Sequence, residues 1–272
     1  MRTRSPASRD LIGSRRVSVA QPRAARPGLL RRLAAGAWHV PAGLWFVLRH
    51  PRLWPLALAP VVVTALLLGA GLFLGVYVIS AVERRFQGLI VGAPELLGVL
   101  TTLMLWVGIL SAGLVLGLGV GLLLSAPLLE RLSRRVELLA RGAAPNESRG
   151  LRWELGQALG GALYFLAAAP LVFLLNLVPL VGPLLGLFWG AWALALQQTD
   201  SPLTRRGLDF PTRKAWHRSW RPESMGFGLA GLVLLIVPFA NLLLAPALSA
   251  GATLLVLELE QEQVRQDSSA RR

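Results

Sequence analysis

The chain has 272 residues, of which 54% are hydrophobic and 15% charged, with a mean hydropathy of +0.57, a formal net charge of +14 and a pI near 11.8. Charge gathered between long apolar blocks argues against a soluble domain, which spreads it evenly, and against a nucleic-acid binder, which needs a polar folded module beside its basic patch. Cysteine is absent, so disulfides, thiolate nucleophiles and cysteine metal sites are excluded and the redox compartment is unreadable.

Residues 1–27 are rich in Arg, Ala, Ser and Pro, hold only Asp10 as an acid and lack the apolar core of a secretory signal. By composition this is a disordered basic tail. It overlaps organellar transit peptides, but the single Lys214 among many arginines also fits a GC-rich bacterial genome, so a bacterial tail is expected. From Gly28 to Arg49, Leu29, Leu30, Leu33, Ala37, Val40, Leu44, Val47 and Leu48 recur at steps of one, three or four, with Arg31, Arg32 and His39 largely off that stripe. The pattern predicts an interfacial amphipathic helix, with Pro41 as the place for a kink. Trp38, Trp45 and Trp54 then sit at headgroup level.

Four blocks without any charged residue follow: Leu53 to Val82, Leu96 to Leu129, Leu155 to Thr199 and Ser224 to Leu257. A bilayer core takes about 20 apolar helical residues to cross, so each of the first two blocks spans. The third block holds Asn176, Pro179, Gly182 and Pro183 near its middle, and the fourth holds Pro238, Asn241 and Pro246. Each break marks a hairpin turn. The third block either crosses and returns or dips in and returns, whereas two full crossings of the fourth would leave only roughly 17 residues per arm. A re-entrant hairpin is expected there. Backbone polar groups at a turn inside the bilayer need protein or water around them, so the tips are expected to be buried against other helices or a second subunit, in a homo-oligomer.

The connection between the two spans is neutral, while the N-terminal part, the connection containing Arg131 to Arg152 and the one containing Arg205 to Arg221 are arginine-rich. All three read as cytoplasmic. Gly113, Gly117 and Gly121, and again Gly182, Gly186 and Gly190, repeat at steps of four and make smooth helix faces. Close helix packing is their default meaning, a pore lining the other. Residues 28–257 form one membrane domain, followed by a polar C-terminal tail at 258–272. The fold class is all-α integral membrane: an N-terminal amphipathic helix, two long transmembrane helices and two hemi-penetrating helical hairpins.

Arg205-Arg-Gly-Leu-Asp-Phe210, then Gly226-Phe-Gly228, Ile236-Val-Pro-Phe-Ala-Asn-Leu-Leu-Leu-Ala-Pro246 and Ala250-Gly-Ala-Thr253, resemble the C-terminal signature of the CysZ and etoposide-induced-protein membrane family. His50-Pro-Arg-Leu-Trp-Pro-Leu-Ala-Leu-Ala-Pro60, Ser125-Ala-Pro-Leu-Leu-Glu-Arg131 and Asp200-Ser-Pro202 extend the resemblance to about residues 36–257. It implies an oligomer of helical subunits with two hairpins, whose best-known members support sulfate uptake. Where sulfate-permease members associate a Gly-Leu-Arg-Arg element with the anion, this chain has His50-Pro51-Arg52-Leu53 and keeps one arginine.

Arg52 is therefore the first candidate for binding a small inorganic anion, against the common role of an arginine that anchors a helix at the interface. Asn176 and Asn241 are amides in apolar blocks, where an unsatisfied group is costly. They either contact solute or tie down the hairpin turns. Glu130, Glu137 and Glu154 lie among arginines of the central connection and read as solvated ion pairs. No carboxylate lies deep in a span for proton relay. The three histidines have no metal-ligand spacing and no catalytic set or phosphate loop is present, so no metal, cofactor or enzyme activity is assigned. Two functions remain: a permease or channel for a small anion, with sulfate implied by the resemblance, or a structural membrane protein. A bacterial cytoplasmic membrane location with a cytoplasmic N-terminus is expected.

Overall fold

The computed structural model describes residues 27–90, 95–145, 150–176, 178, 181–235 and 240–271. These form helices without strands: α1 (Leu29–Arg49), a 3-10 turn (Pro51–Leu53), α2 (Trp54–Ile90), α3 (Glu95–Arg141), α4 (Leu151–Asn176), α5 (Val181–Gln198), α6 (Asp200–Thr204), α7 (Phe210–Ser219), α8 (Arg221–Leu235) and α9 (Ala240–Ala270). Residues 258–270, read as a polar tail, continue α9.

Three stretches are long and apolar enough to cross a membrane: Pro51–Ala81, Gly98–Arg141 and Gly156–Leu175. Their most apolar windows are only 11%, 13% and 0% buried within the chain. Phe73 and Met104 are 76% and 75% exposed, and Leu66, Val115 and Phe173 stand outward in the same way. So much contiguous apolar surface is tolerated in lipid and not in water. The fold is that of a membrane protein.

The two longest helices, α2 and α3, run antiparallel against one another. A Cβ on Gly113 would lie 2.7 Å from the Gly71 carbonyl oxygen, one on Gly117 3.0 Å from that of Leu67, and one on Gly121 3.2 Å from Thr64. The glycine repeat is a helix-packing face, as its spacing suggests.

Near the other end of the fold, α1, α8 and α9 approach backbone to backbone. A Cβ on Gly226 would stand 1.9 Å from the Leu33 carbonyl oxygen, and one on Gly251 2.3 Å from that of His39. Only hydrogen fits at either position. These contacts decide which face of α1 is inward: Gly36, His39, Val40, Gly43 and Val47 are buried, while Leu30, Trp38, Trp45 and Leu48 face out. The apolar stripe read from the sequence is thus split. His39, placed off that stripe, is buried instead, because small residues permit a closer approach than leucines do.

Helices α4 and α5 pack together, with Tyr164 and Trp189 ring centroids 5.7 Å apart, and the expected turn at Pro179 lies outside the described residues. Helices α8 and α9 meet across the break at 236–239, which lies outside the described residues. The buried core gathers on α9: Leu244, Leu248 and Leu255 pack with Trp216, Trp220 and Phe227, and Ala250 joins Leu53, Leu132 and Val136.

Candidate functional site

The turn that carries Arg52 is fixed locally. Pro51 starts the 3-10 turn, the Leu53 amide donates to the His50 carbonyl at 2.8 Å, and buried Leu53 anchors the turn in the core. The neighbouring polar side chains are engaged: His50 stacks on Phe46 with centroids 4.3 Å apart, the Trp54 indole donates to the Val47 carbonyl at 3.2 Å, and Arg49 lies over Trp45 at 4.5 Å. Arg52 is exposed and makes no ion pair among the described residues. Its guanidinium is left for solvent, headgroups or an anion.

Asn176 is the last residue of α4, and Asn241 is the second of α9. Their side chains lie outside the described residues, and no described contact joins either to Arg52.

The larger polar feature comes from Arg205-Arg-Gly-Leu-Asp-Phe210. Gly207 turns the chain with φ +70°, a left-handed conformation that glycine adopts without strain. Leu208 packs on the core, and Asp209 caps α7 by accepting from the Thr212 amide at 3.0 Å. This short turn aims both arginines into the bundle. Arg205 donates to Glu130 at 2.7 Å, to Ser133 at 2.9 Å and to Glu137 at 2.9 Å. Arg206 donates to the other oxygen of Glu137 at 2.6 Å and to Glu260 through Nε and Nη2. Arg141 closes the set on Glu260 at 2.7 Å and on the Leu257 carbonyl at 2.6 Å.

Three arginines and three carboxylates thus tie α3, α6 and α9 together. Burial by itself would lower the Arg206 pKa, but the hydrogen bond and charge of Glu260, then those of Glu137, raise it. It stays charged. Glu137, expected as a solvated partner, is 0% exposed. The sequence shows acids and arginines alternating with apolar residues along α3, and its period does not tell which face meets the Arg205 turn.

A second polar chain lies between α5, α7 and α8. Buried His217 sits 2.7 Å from the Thr199 hydroxyl through Nε2 and 2.8 Å from the Ser224 hydroxyl through Nδ1. Thr199 donates its own hydrogen to the Ala195 carbonyl at 2.8 Å, so it accepts from His217 Nε2–H. Ser224 then donates to Nδ1, and the ring is neutral. Burial, helped by the charge of Arg213, pushes the His217 pKa down to about 3. Arg213 pairs with Asp200 and donates to Thr204 at 2.7 Å, while burial lowers its own pKa to about 10. No group of His, Asp and Glu suited to a metal occurs among the described residues.

A family model described as Sulfate transporter CysZ/Etoposide-induced protein 2.4 matches residues 40–246. The chain belongs to this family. Sulfate transporter CysZ of Pseudomonas paraeruginosa (strain DSM 24068 / PA7) is 33% identical over 153 residues, 52% of this chain and 61% of that protein. The same-named protein of Pseudomonas fluorescens (strain SBW25) is 33% identical over 144 residues, 48% of this chain and 56% of the relative. That of Salmonella typhimurium is 23% identical over 232 residues, 80% of this chain and 90% of its own length. The chain thus spans about three-fifths of the length of the Pseudomonas relatives it matches. The CysZ-family segment contains Arg52, the Arg205 turn and His217, while Glu260 lies beyond it.

Proposed function

We propose that this chain is a membrane permease or channel for a small oxyanion, with sulfate the first candidate. Membership in the CysZ family over residues 40–246, with an exposed Arg52 inside that segment that makes no ion pair among the described residues, is the observation that supports it. In this reading Arg52 stands at the cytoplasmic mouth and gathers anions. Its planar donors match paired oxygens and its charge is permanent. Exposure keeps the hold weak, as a permeation site requires. The α4–α5 and α8–α9 pairs dip into the bilayer as re-entrant hairpins, the tips near Asn176 and Asn241 narrow the path, and subunits assemble so that several Arg52 side chains share one mouth. The protein lies in a bacterial inner membrane with its N-terminus in the cytoplasm.

Uptake of labelled sulfate into proteoliposomes tests this. Arg52→Ala is expected to lower flux without loss of folding, and Arg52→Lys to retain part of it. Normal flux with Arg52→Ala would remove the site assignment, and no flux of any small anion through the purified protein would leave a structural membrane protein as the better reading. One observation favours that second reading: the cavity of about 700 Å³ between α1, α4, α5 and α8 is lined mainly by apolar side chains.

A further inference from the structure

That cavity has a polar character at one end only. Its walls come from Leu171 and Leu175 on α4, Leu185 and Trp189 on α5, Leu229 on α8 and Leu33 on α1. A volume of about 700 Å³ falls within the roughly 300–1,000 Å³ of pockets that hold small ligands. From Tyr164 to Leu175 the groove follows α4 for about 16 Å at 1.5 Å per residue. It follows the long apolar helix whose spanning window is 0% buried within the chain.

The charged end is defined by α7 and the start of α8. Arg218 and Arg221 line the groove, both exposed and without an ion pair among the described residues. Lys214, one helical turn before Arg218, places Nζ 4.8 Å from the centre of the Tyr164 ring, itself part of the lining. The nearby carboxylate of Glu223 is taken by Arg32 in two hydrogen bonds of 2.6 and 2.9 Å, so it does not neutralise this cluster. Arg218 follows His217, which contacts Trp192 toward the C-terminal end of α5, whereas Leu175 lies beside the turn at the far end of α4. The cations therefore sit at the connection side and the apolar trough runs away from them toward the hairpin tip.

We infer that this groove is a binding site for an anionic phospholipid. The headgroup phosphate lies on Lys214, Arg218 and Arg221, and one acyl chain runs between α4 and α5. Basic pockets between membrane helices have this chemistry. The site is remote from Arg52, because it meets α1 at Leu29 and Leu33 while Arg52 follows the other end of that helix.

The test is native mass spectrometry of the purified full chain after incubation with equal amounts of phosphatidylglycerol and phosphatidylcholine. Preferential retention of phosphatidylglycerol is expected. The double change Arg218→Gln and Arg221→Gln should reduce that preference by about 25-fold, roughly fivefold for each arginine removed. Ala168→Trp, which fills the trough from a half-buried position on α4, should abolish retention of the lipid. Equal retention of the two lipids by the unaltered protein would overturn the proposal, as would an unchanged preference in the arginine variant. Ala168→Trp that alters the oligomeric mass and leaves lipid retention intact would identify the groove as a subunit contact instead.

Discussion

Arg205 reaches Glu137 at 2.9 Å in a place where the carboxylate has no exposed surface, and the adjacent Arg206 holds the other oxygen of the same carboxylate at 2.6 Å. A carboxylate shared by two consecutive guanidiniums joins α3 to the Arg205 turn at one point. Both charges were desolvated to make it, so the contribution appears mainly when one partner is removed.

Glu137→Ala should therefore leave two buried arginines undercompensated and destabilise the protein by about 3–5 kcal/mol. Glu130→Ala, whose carboxylate is 42% exposed, should cost at most about 1 kcal/mol by comparison. Denaturant unfolding in detergent micelles, followed by helix content, measures both. Equal losses would show that burial does not govern this network.

Acid should weaken the fold through His217. Its pKa falls from an ordinary 6.5 to about 3 in the folded chain, so between those values the unfolded chain binds the extra proton. The contribution of the neutral ring is complete above pH 6.5 and is lost as pH falls toward 3. Carboxylates titrate in part of that window, hence the difference between the unaltered protein and His217→Gln isolates the effect. The midpoint of thermal unfolding should drop more steeply from pH 6.5 to 4.5 in the former; parallel curves would contradict the assignment.

Gly226→Ala should separate α1 from α8, because the new methyl group would meet the Leu33 carbonyl at 1.9 Å and rigid backbone lies on both sides. A loss of about 1–3 kcal/mol is expected from overpacking. Gly69→Ala, with nothing within 4 Å, should be neutral or stabilise α2 by about 0.5–1 kcal/mol. Melting temperatures of the two variants give the comparison, and a Gly226→Ala protein as stable as the parent would refute the backbone contact.

Topology is accessible because the chain contains no cysteine. Single cysteines at Ser148 and Ser219 are expected to resist an impermeant thiol reagent added outside intact cells and to react after permeabilisation. Labelling from outside would reverse the proposed orientation.

The sequence made the long apolar helices and the breaks between helices legible because length, hydropathy and Pro or Asn act locally, although the two spans expected become three helices long and apolar enough to cross. Helix α4 stops at Asn176 and α9 begins at Ala240, close to where the apolar blocks are interrupted. Gly113 and Gly117 could be read from spacing alone. The burial of His39, Glu137 and His217 could not, since each depends on a partner distant in sequence: Gly251 for His39, Arg205 for Glu137 and Thr199 for His217. A polar residue on an otherwise apolar helix reads as solvated until the element covering it is known. The strongest sequence clue to the hidden network was the Arg205-Arg-Gly-Leu-Asp-Phe210 motif, whose glycine and aspartate set a turn while its arginines do the joining.

The neutral sum of that network separates two moments in the life of the protein. During insertion, arginines of a short connection count toward orientation while nearby acids contribute little. Once folded, Arg205, Arg206 and Arg213 are each matched by a carboxylate. Half of the positive charge of that connection is thus withdrawn from the folded surface, leaving Lys214, Arg218 and Arg221 as the cations that the same connection still displays to its surroundings.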